Sequence, residues 1–145
     1  MRNVIEEILT VDQAGFCPGK LCSGKLLNLT QHIENAYQRK LITGVTFVDL
    51  TAAYDTIQHR LMIKVYDVTR DASLCRTIQS LLENRRSHMV LGNNKSRWFR
   101  QNNELPQGSV LAPSLFNMHT NDQPKPVGCE WFIYADDFAS PFNAP

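Results

Sequence analysis

The segment from Trp131 to Ser140, WFIYADDFAS, places two adjacent acids directly after an apolar run. The run predicts a strand that enters a core, where side chains alternate between the two faces. Neither face can bury a bare carboxylate cheaply. We therefore predict a tight turn after Ala135 that exposes Asp136 and Asp137, with FAS returning as a second strand. A solvated hairpin turn alone would also explain the pair, because Asp is common in turns.

A third acid, Asp49, lies near the end of another apolar segment, VTFVDL, which we interpret as a buried strand. If the two strands are neighbours, the three carboxylates of Asp49, Asp136 and Asp137 meet at one edge of a sheet. Like charges this close raise one another's pKa values unless a cation neutralises them. Oxygen ligands select hard cations such as Mg²⁺ or Mn²⁺. A metal site for phosphoryl displacement is the chemical interpretation of this pattern.

The remaining patterns mix helices with strands and predict an α+β fold rather than a regular α/β alternation. Apolar spacing indicates a first helix that starts near a Ser23 N-cap, and its predicted apolar face consists of Leu26, Leu29, Ile33, Tyr37 and Leu41. Two further helices are predicted in AAYDTIQHRLMIKVYDV and DASLCRTIQSLLENR, the latter with Leu74, Ile78, Leu81 and Leu82 on one face. A hairpin around Asn93-Asn94 follows, and Pro113 fits the first turn of a last helix.

Composition sets broader limits. The chain has 145 residues, 43% of them hydrophobic, and a formal net charge of +1, which suits one folded domain and neither favours nor excludes a nucleic-acid partner. No segment reaches the roughly 20 apolar residues of a membrane helix, so no membrane partner is expected. The first residues, MRNVIEEILTVDQ, carry acids where a signal peptide is apolar. We therefore expect an intracellular protein, in the nucleus or cytoplasm, that is not secreted.

Cysteine spacing gives no metal motif. The chain has four cysteines, and Cys17, Cys22, Cys75 and Cys129 form no C-x-x-C pair. No histidine lies at the spacing of a zinc finger. Reduced thiols are the expected state in an intracellular protein.

Three segments of the chain resemble, in the same order, the consecutive polymerase motifs of reverse transcriptases of the non-LTR retrotransposon type. These segments are FVDLTAAYDTIQH, LPQGSVLAPSLFNMHTND and FIYADD. QAGFCPG is similar to the segment that precedes them. The resemblance implies a partial right-hand polymerase palm, an antiparallel sheet backed by helices, with a remnant of the fingers. It divides a single domain, residues 1–145, into a fingers remnant at about 1–43 and a palm at about 44–145.

The resemblance also implies a reaction, the two-metal transfer of dNMP from dNTP to a primer 3′-hydroxyl on an RNA template, as part of a retrotransposon. Asp49 and Asp136 would bind Mg²⁺ or Mn²⁺, with Asp137 beside them and the carbonyl of Leu50 as a further ligand. RNA template, DNA primer and dNTP are the implied partners.

Further site residues are implied in two groups. Nucleotide contacts are expected from Tyr54, Gln107 and Gly108, and template contacts from Gly15, Phe16 and Gly19. Without the resemblance, Tyr54 would be interpreted as a core aromatic of a helix, and PQG as an ordinary turn.

The cationic and aromatic residues of Arg85-Arg86 and KSRWFR permit two interpretations. They could form a nucleic-acid path through phosphate contacts and base stacking. A solvated hairpin is the simpler interpretation.

Several positions depart from the family pattern. Cys17 replaces the usual Arg, which would weaken contact with template or with a neighbouring carboxylate, and His119 replaces the usual Tyr. Glu104 replaces Gly and would be strained if the position requires positive φ. Pro141 removes a ladder donor, so we expect the return strand to be a short edge strand.

The resemblance leads us to expect a fragment that lacks upstream finger elements and the thumb, and that is inactive in isolation. A catalytically inactive remnant that binds RNA or protein is the alternative. A third possibility is that the isolated chain does not fold stably, because sheet edges are left exposed.

Overall fold

The computed structural model describes residues 7–57, 60–101, 103–125 and 128–145. In chain order its elements are α1 (Cys22–Gln38), β1 (Ile42–Asp49), α2 (Leu61–Thr69), α3 (Ala72–Leu82), β2 (Arg85–Ser87), β3 (Val90–Leu91), β4 (Asn94–Lys95), β5 (Phe99–Gln101), α4 (Ala112–Thr120), β6 (Phe132–Tyr134) and β7 (Asp137–Ala144). All the strand ladders are antiparallel. The predicted α+β mixture is confirmed.

The chain divides into two compact units, which we call the sheet unit and the helical unit. Among the described residues, the sheet unit consists of residues 7–51 and 120–145, and the helical unit of residues 52–119. This division is one of packing; the boundary between a fingers remnant and a palm near residue 44 stays a prediction. Within the described ranges, no helix has the length and apolar character to cross a membrane.

The sheet unit is built on three strands in the order β1-β7-β6. Strand β7 pairs with β1 from Ile42↔Ala144 to Asp49↔Asp137 and with β6 from Phe132↔Ala139 to Tyr134↔Asp137. The strands predicted in WFIY and FAS are therefore confirmed, and a two-residue connection joins them.

The prediction that β1 is buried is wrong. Its last residues are exposed, with 72% exposure for Phe47. The reason is topological, because β1 is an edge strand of a small sheet. Its apolar sequence could not reveal which strand would occupy the centre.

The prediction of a short edge strand at Pro141 is also wrong. Strand β7 has eight residues and is central, and Pro141 pairs with Val45 within it. The ladder between β6 and β7 does not extend beyond the pair Phe132↔Ala139. Pro141 therefore lies where β7 has β1 as its neighbour on one side and no described strand on the other. Proline is tolerated in strands where its missing N–H faces an open edge.

Helix α1 packs on this sheet through a narrower face than predicted. Leu29 and Ala36 are its buried residues, whereas Leu26 is 58% and Tyr37 81% exposed. The His32 ring contacts Phe132 edge-on. Ser23 is not the N-cap as predicted; that position is Leu21, without a side-chain cap. Of the predicted apolar face, Leu29 is thus buried, and Ala36, which was not part of that face, is buried with it.

The helical unit has its own apolar core. Large side chains with less than 2% exposure there are Leu61, Ile78, Leu105, Leu115, Phe116 and Val65. Helix α3 begins at an Asp71 N-cap whose carboxylate accepts from Ser73 N and Leu74 N. Its apolar face is confirmed at Ile78 and Leu82, but Leu81 is 55% exposed.

Three other predictions concern the helical unit. The hairpin is confirmed, but its two-residue turn is Gly92-Asn93, one position before the predicted one. Pro113 lies in the first turn of α4, as predicted. The helix predicted from Ala52 onward begins only at Leu61, and Gln58 and His59 lie outside the described residues.

Candidate active site

Strand pairing brings two of the predicted acids together. Asp49, the last residue of β1, is the antiparallel partner of Asp137, the first residue of β7. Asp136 immediately precedes Asp137 and lies in the turn from β6. The neighbour of β1 is thus the return strand rather than the WFIY strand. All three acids nevertheless lie at one end of the sheet.

The turn that carries Asp136 has an unusual backbone. Ala135 and Asp136 are the two residues between the paired Tyr134 and Asp137, and Ala135 has φ of 60°. A positive φ at the first position of a two-residue hairpin normally calls for glycine. Alanine therefore requires outside support to stay there.

None of the three carboxylates forms an ion pair with a described cationic side chain. Asp49 and Asp137 are exposed and Asp136 is half-buried. Across the described ranges, neither a salt bridge nor a side-chain hydrogen bond compensates any of the three. Mutual repulsion makes such an arrangement favourable only in water or around a cation.

The donor set fits Mg²⁺ or Mn²⁺, because it offers carboxylate oxygens from two adjacent strands. Within the part of the chain that the structure describes, no group of three or more His, Cys, Asp and Glu side chains is arranged to hold a metal. Proteins usually bind Mg²⁺ through one or two carboxylates, with water and substrate phosphates completing the shell. A pair of carboxylates is therefore sufficient from the protein side.

A cavity of about 330 Å³ adjoins the acids. Asp49 and Asp137 line it together with Lys25 and with apolar side chains that include Leu29, Phe47 and Phe138. Burial lowers the pKa of the Lys25 amine, and the charge of nearby Asp12 opposes that shift. The cavity thus combines apolar walls with charged groups at its edge.

Gln13, to which the sequence assigned no role, contacts the same turn. Gln13 is buried, with 4% exposure, and its side-chain Oε1 accepts a hydrogen bond from Ala135 N at 3.0 Å. Its Nε2 donates to Ala135 O at 3.2 Å. The only available signal was its position at the start of QAGFCPG, because hydrogen bonds across more than a hundred residues leave no local pattern.

The three residues predicted to contact template occupy different environments in the sheet unit. Gly15 is buried, and a Cβ added there would lie 2.1 Å from Ala135 N. Phe16 is 50% exposed and has φ of 59°. Gly19 is exposed, with φ of 70°, and borders a surface cavity of about 680 Å³ together with Lys20. Their template role stays a prediction, although Gly15 has a packing requirement of its own.

The predicted nucleotide-contacting residues lie in the helical unit. The Tyr54 ring stacks on Phe116 with centroids 5.1 Å apart and planes 5° from parallel. Gln107 and Gly108 are exposed, and Gln107 Nε2 donates to Asp55 Oδ1 at 3.4 Å. Tyr54 thus has the packing of a core aromatic, and its role toward a nucleotide stays a prediction.

Glu104 meets the condition that would make it strained. Its φ is 132°, in the region that favours glycine. Arg85 Nη2 lies 3.3 Å from Glu104 Oε1, and Arg85 Nη1 donates to Glu104 O at 3.4 Å. The replacement of glycine at this position is thus accompanied by an ion pair.

Comparisons with known proteins agree with these features. The family model described as reverse transcriptase (RNA-dependent DNA polymerase) matches residues 1–143. A probable RNA-directed DNA polymerase from transposon BS of Drosophila melanogaster is 32% identical over 140 residues, which are 91% of this chain and 16% of that protein. A probable RNA-directed DNA polymerase from transposon X-element of the same species is 30% identical over 115 residues, 79% of this chain and 13% of that protein.

The chain therefore spans 16% and 13% of the lengths of the two curated relatives that it matches. The family match covers both units, including all three acids and the LPQG segment. We conclude that this chain belongs to the reverse transcriptase (RNA-dependent DNA polymerase) family.

Proposed function

We propose that this chain carries the catalytic acids of an RNA-directed DNA polymerase of a non-LTR retrotransposon. The observation that supports this most directly is the pairing of Asp49 with Asp137 at the sheet end where Asp136 occupies the turn. In this proposal the sheet unit is part of a polymerase palm, and the N-terminal residues retain part of the fingers. The protein would act inside the cell, where template RNA, DNA primer and dNTP are present.

Asp49 and Asp136 would hold Mg²⁺ or Mn²⁺, with the Leu50 carbonyl as an additional ligand and Asp137 adding negative charge. When bound, the metal ions would favour the ionised primer 3′-hydroxyl and neutralise the charge of the triphosphate. The role of the protein is to hold the carboxylates at fixed positions. The β1–β7 ladder holds Asp49 and Asp137, and the turn after β6 carries Asp136. Preorganised charges contribute to catalysis because they need no reorganisation during the reaction.

Tyr54, Gln107 and Gly108 would contact the incoming nucleotide in this proposal. The stacking of Tyr54 on Phe116 would fix the plane of its ring, and a fixed ring can exclude a 2′-hydroxyl and so favour dNTP. The positive φ of Gly108, 83°, favours glycine, and the missing side chain would let the backbone approach a ligand.

The first test measures Mn²⁺ binding to the chain itself. Paramagnetic broadening of backbone amide NMR signals should centre on Asp49, Asp136 and Asp137, because the ion would lie between these carboxylates. Asp136→Asn should weaken Mn²⁺ binding at least tenfold, whereas Asp67→Asn, which changes an exposed acid of α2, should not affect it. Broadening that is absent, or that is unchanged in Asp136→Asn, would refute the metal site.

The second test measures primer extension on an RNA template by the complete reading frame that encodes this chain. Asp49→Asn and Asp136→Asn should each lower the rate by about 100-fold or more, since even the partners of metal ligands cost about 10–100-fold when mutated. Asp67→Asn should retain the rate. A complete frame that extends no primer with either Mg²⁺ or Mn²⁺ would contradict the polymerase proposal.

An RNA-binding module without polymerase activity is the second candidate, favoured by one feature of the helical unit. Arg86 and Arg100 are exposed cross-strand partners in the β2–β5 ladder, and Trp98 nearby is 62% exposed. Adjacent cations beside an exposed indole suit phosphate contact and base stacking. If Arg86→Ala with Arg100→Ala abolishes RNA binding while the Asp49 and Asp136 variants change neither binding nor metal affinity, this second function is the better one.

A further inference from the structure

We propose that Gln13 is a positioning residue, whose buried side-chain amide fixes the backbone of the Ala135–Asp136 turn and thereby the orientation of the Asp136 carboxylate. The proposal rests on the metal-binding role proposed above for Asp136. It adds a residue from the opposite end of the sequence to that site. Gln13 contacts neither substrate nor metal in this proposal and acts only through the turn.

Three hydrogen bonds define the orientation of the Gln13 amide. Its Oε1 accepts from Gly15 N at 2.7 Å and from Ala135 N at 3.0 Å, and its Nε2 donates to Ala135 O at 3.2 Å. A flipped amide would place NH₂ against two N–H donors and oxygen against a carbonyl. The surroundings therefore permit one orientation, and each polar atom is satisfied within a buried site.

These bonds act on the two peptide groups that flank Ala135. Ala135 N belongs to the peptide that joins it to Tyr134, and Ala135 O belongs to the peptide that joins it to Asp136. The relative orientation of two successive peptide planes is set by φ and ψ of the residue between them. By holding both planes, one side chain fixes the conformation of Ala135 and the direction in which the chain enters Asp136.

Ala135 requires such support. Its φ of 60° is unfavourable for a residue with a Cβ, and glycine would normally occupy this position of a tight hairpin. An unsupported alanine would relax toward negative φ, which would rotate the following peptide. Asp136 would then move relative to Asp49 and Asp137, whose register is fixed by the β1–β7 ladder.

The backbone of Gln13 is itself anchored. Ala14 N donates to Ile133 O at 3.0 Å, and Ile133 N donates to Asp12 O at 3.2 Å, so the segment runs parallel to β6 at this point. Lys20 Nζ donates to Gln13 O at 2.6 Å. Because the backbone is held at both ends of the contact, only the side chain of Gln13 has to be ordered when it bonds to the turn.

The experiment compares Gln13→Met with Gln13→Glu in the full chain. Methionine keeps the length of the side chain but removes all three hydrogen bonds. Glutamate keeps an oxygen that can accept from Ala135 N and Gly15 N but loses the donor to Ala135 O. Ala36→Gly is the control, because it weakens α1 in the same unit at a buried residue that lies outside the turn.

Two readouts separate positioning from general stability. Amide hydrogen exchange of Ala135 should accelerate at least tenfold in Gln13→Met relative to Ala36→Gly at matched global stability. The apparent Mn²⁺ affinity, measured by broadening at Asp136, should fall at least fivefold in Gln13→Met and remain unchanged in Ala36→Gly. If Gln13→Met does not fold, Gln13→Glu tests the same contact. Hydrogen exchange at Ala135 should then stay slow, because the acceptor for Ala135 N is kept. The Asp136 amide signal should shift and the Mn²⁺ affinity should fall, because the donor to Ala135 O is lost.

Unchanged exchange at Ala135 in Gln13→Met, or unchanged Asp136 signals in Gln13→Glu, would overturn the positioning role. These exchange and chemical-shift measurements need no metal. They therefore test the Gln13 contact even if the wild-type chain shows no Mn²⁺ broadening, a result that would instead refute the proposed metal site.

Discussion

Ala135 and Glu104 present the same backbone problem in the two units. Each is a residue with a Cβ at positive φ, 60° for Ala135 and 132° for Glu104. Each directly precedes a family motif segment, the acidic pair in one case and LPQG in the other. The protein supports the two positions by different means.

Ala135 is buried, at 7% exposure, and both of its backbone polar groups bond to the buried amide of Gln13. Glu104 is half-buried and depends on longer contacts, from its own N to Ile57 O at 3.3 Å and from Arg85 Nη1 to its carbonyl at 3.4 Å. Buried hydrogen bonds hold a strained residue more firmly than partly solvated ones. The comparison indicates that the turn before Asp136 is built for rigidity, whereas the loop before LPQG carries strain with less support.

Among the substitutions that test this comparison, we expect the largest change in the free energy of unfolding at Gly15, which packs on Ala135. Gly15→Ala would place a Cβ 2.1 Å from Ala135 N and 2.6 Å from Ala135 Cα. Because backbone would have to move, we expect a loss of about 3 kcal/mol or more in the free energy of unfolding. Urea unfolding followed by Trp131 fluorescence, in a Trp98→Phe background, measures it.

Gly24→Ala is the matched control for that substitution. Gly24 lies in α1 with nothing within 4 Å of an added Cβ, so alanine should stabilise the helix by up to about 1 kcal/mol. Similar effects of the two substitutions would show that Ala135 is not held by close packing.

A smaller effect is expected at Glu104. Glu104→Gly and Glu104→Ala both remove the ion pair with Arg85, but only glycine relieves the positive φ. The glycine variant should be more stable than the alanine variant by about 1–3 kcal/mol. Urea unfolding followed by Trp98 fluorescence, in a Trp131→Phe background, gives the difference, and equal stabilities would mean that the position carries no strain.

The smallest effect is expected at Ala135 itself. Ala135→Gly relieves a positive φ, worth about 1–2 kcal/mol, but it removes a buried methyl group worth about 0.8 kcal/mol and adds freedom to the unfolded chain. The contributions should nearly cancel, so that the free energy of unfolding changes by less than about 1 kcal/mol. Urea unfolding followed by Trp131 fluorescence measures this change. A gain as large as that at Glu104 would remove the distinction between the two positions.

Local patterns predicted much of the fold. The strands that flank the acids, the helix capped by Asp71, the first-turn proline of α4 and the α+β mixture follow from signals within a few residues. The exposure of β1, the central place of β7 despite Pro141, and the buried face of α1 did not follow. Each depends on which elements become neighbours, and an apolar sequence alone does not specify its neighbour.

The sequence by itself determined the family, the presence of three acids at the ends of apolar strands, and the strain expected at Glu104. Only the tertiary structure decided that Asp49 is paired with Asp137, and that Gln13 holds the turn that carries Asp136. The physical reason lies in the range of the interactions. Periodicity and turn preferences act between near neighbours in the chain, whereas strand register and buried side-chain hydrogen bonds join residues separated by about a hundred positions or more.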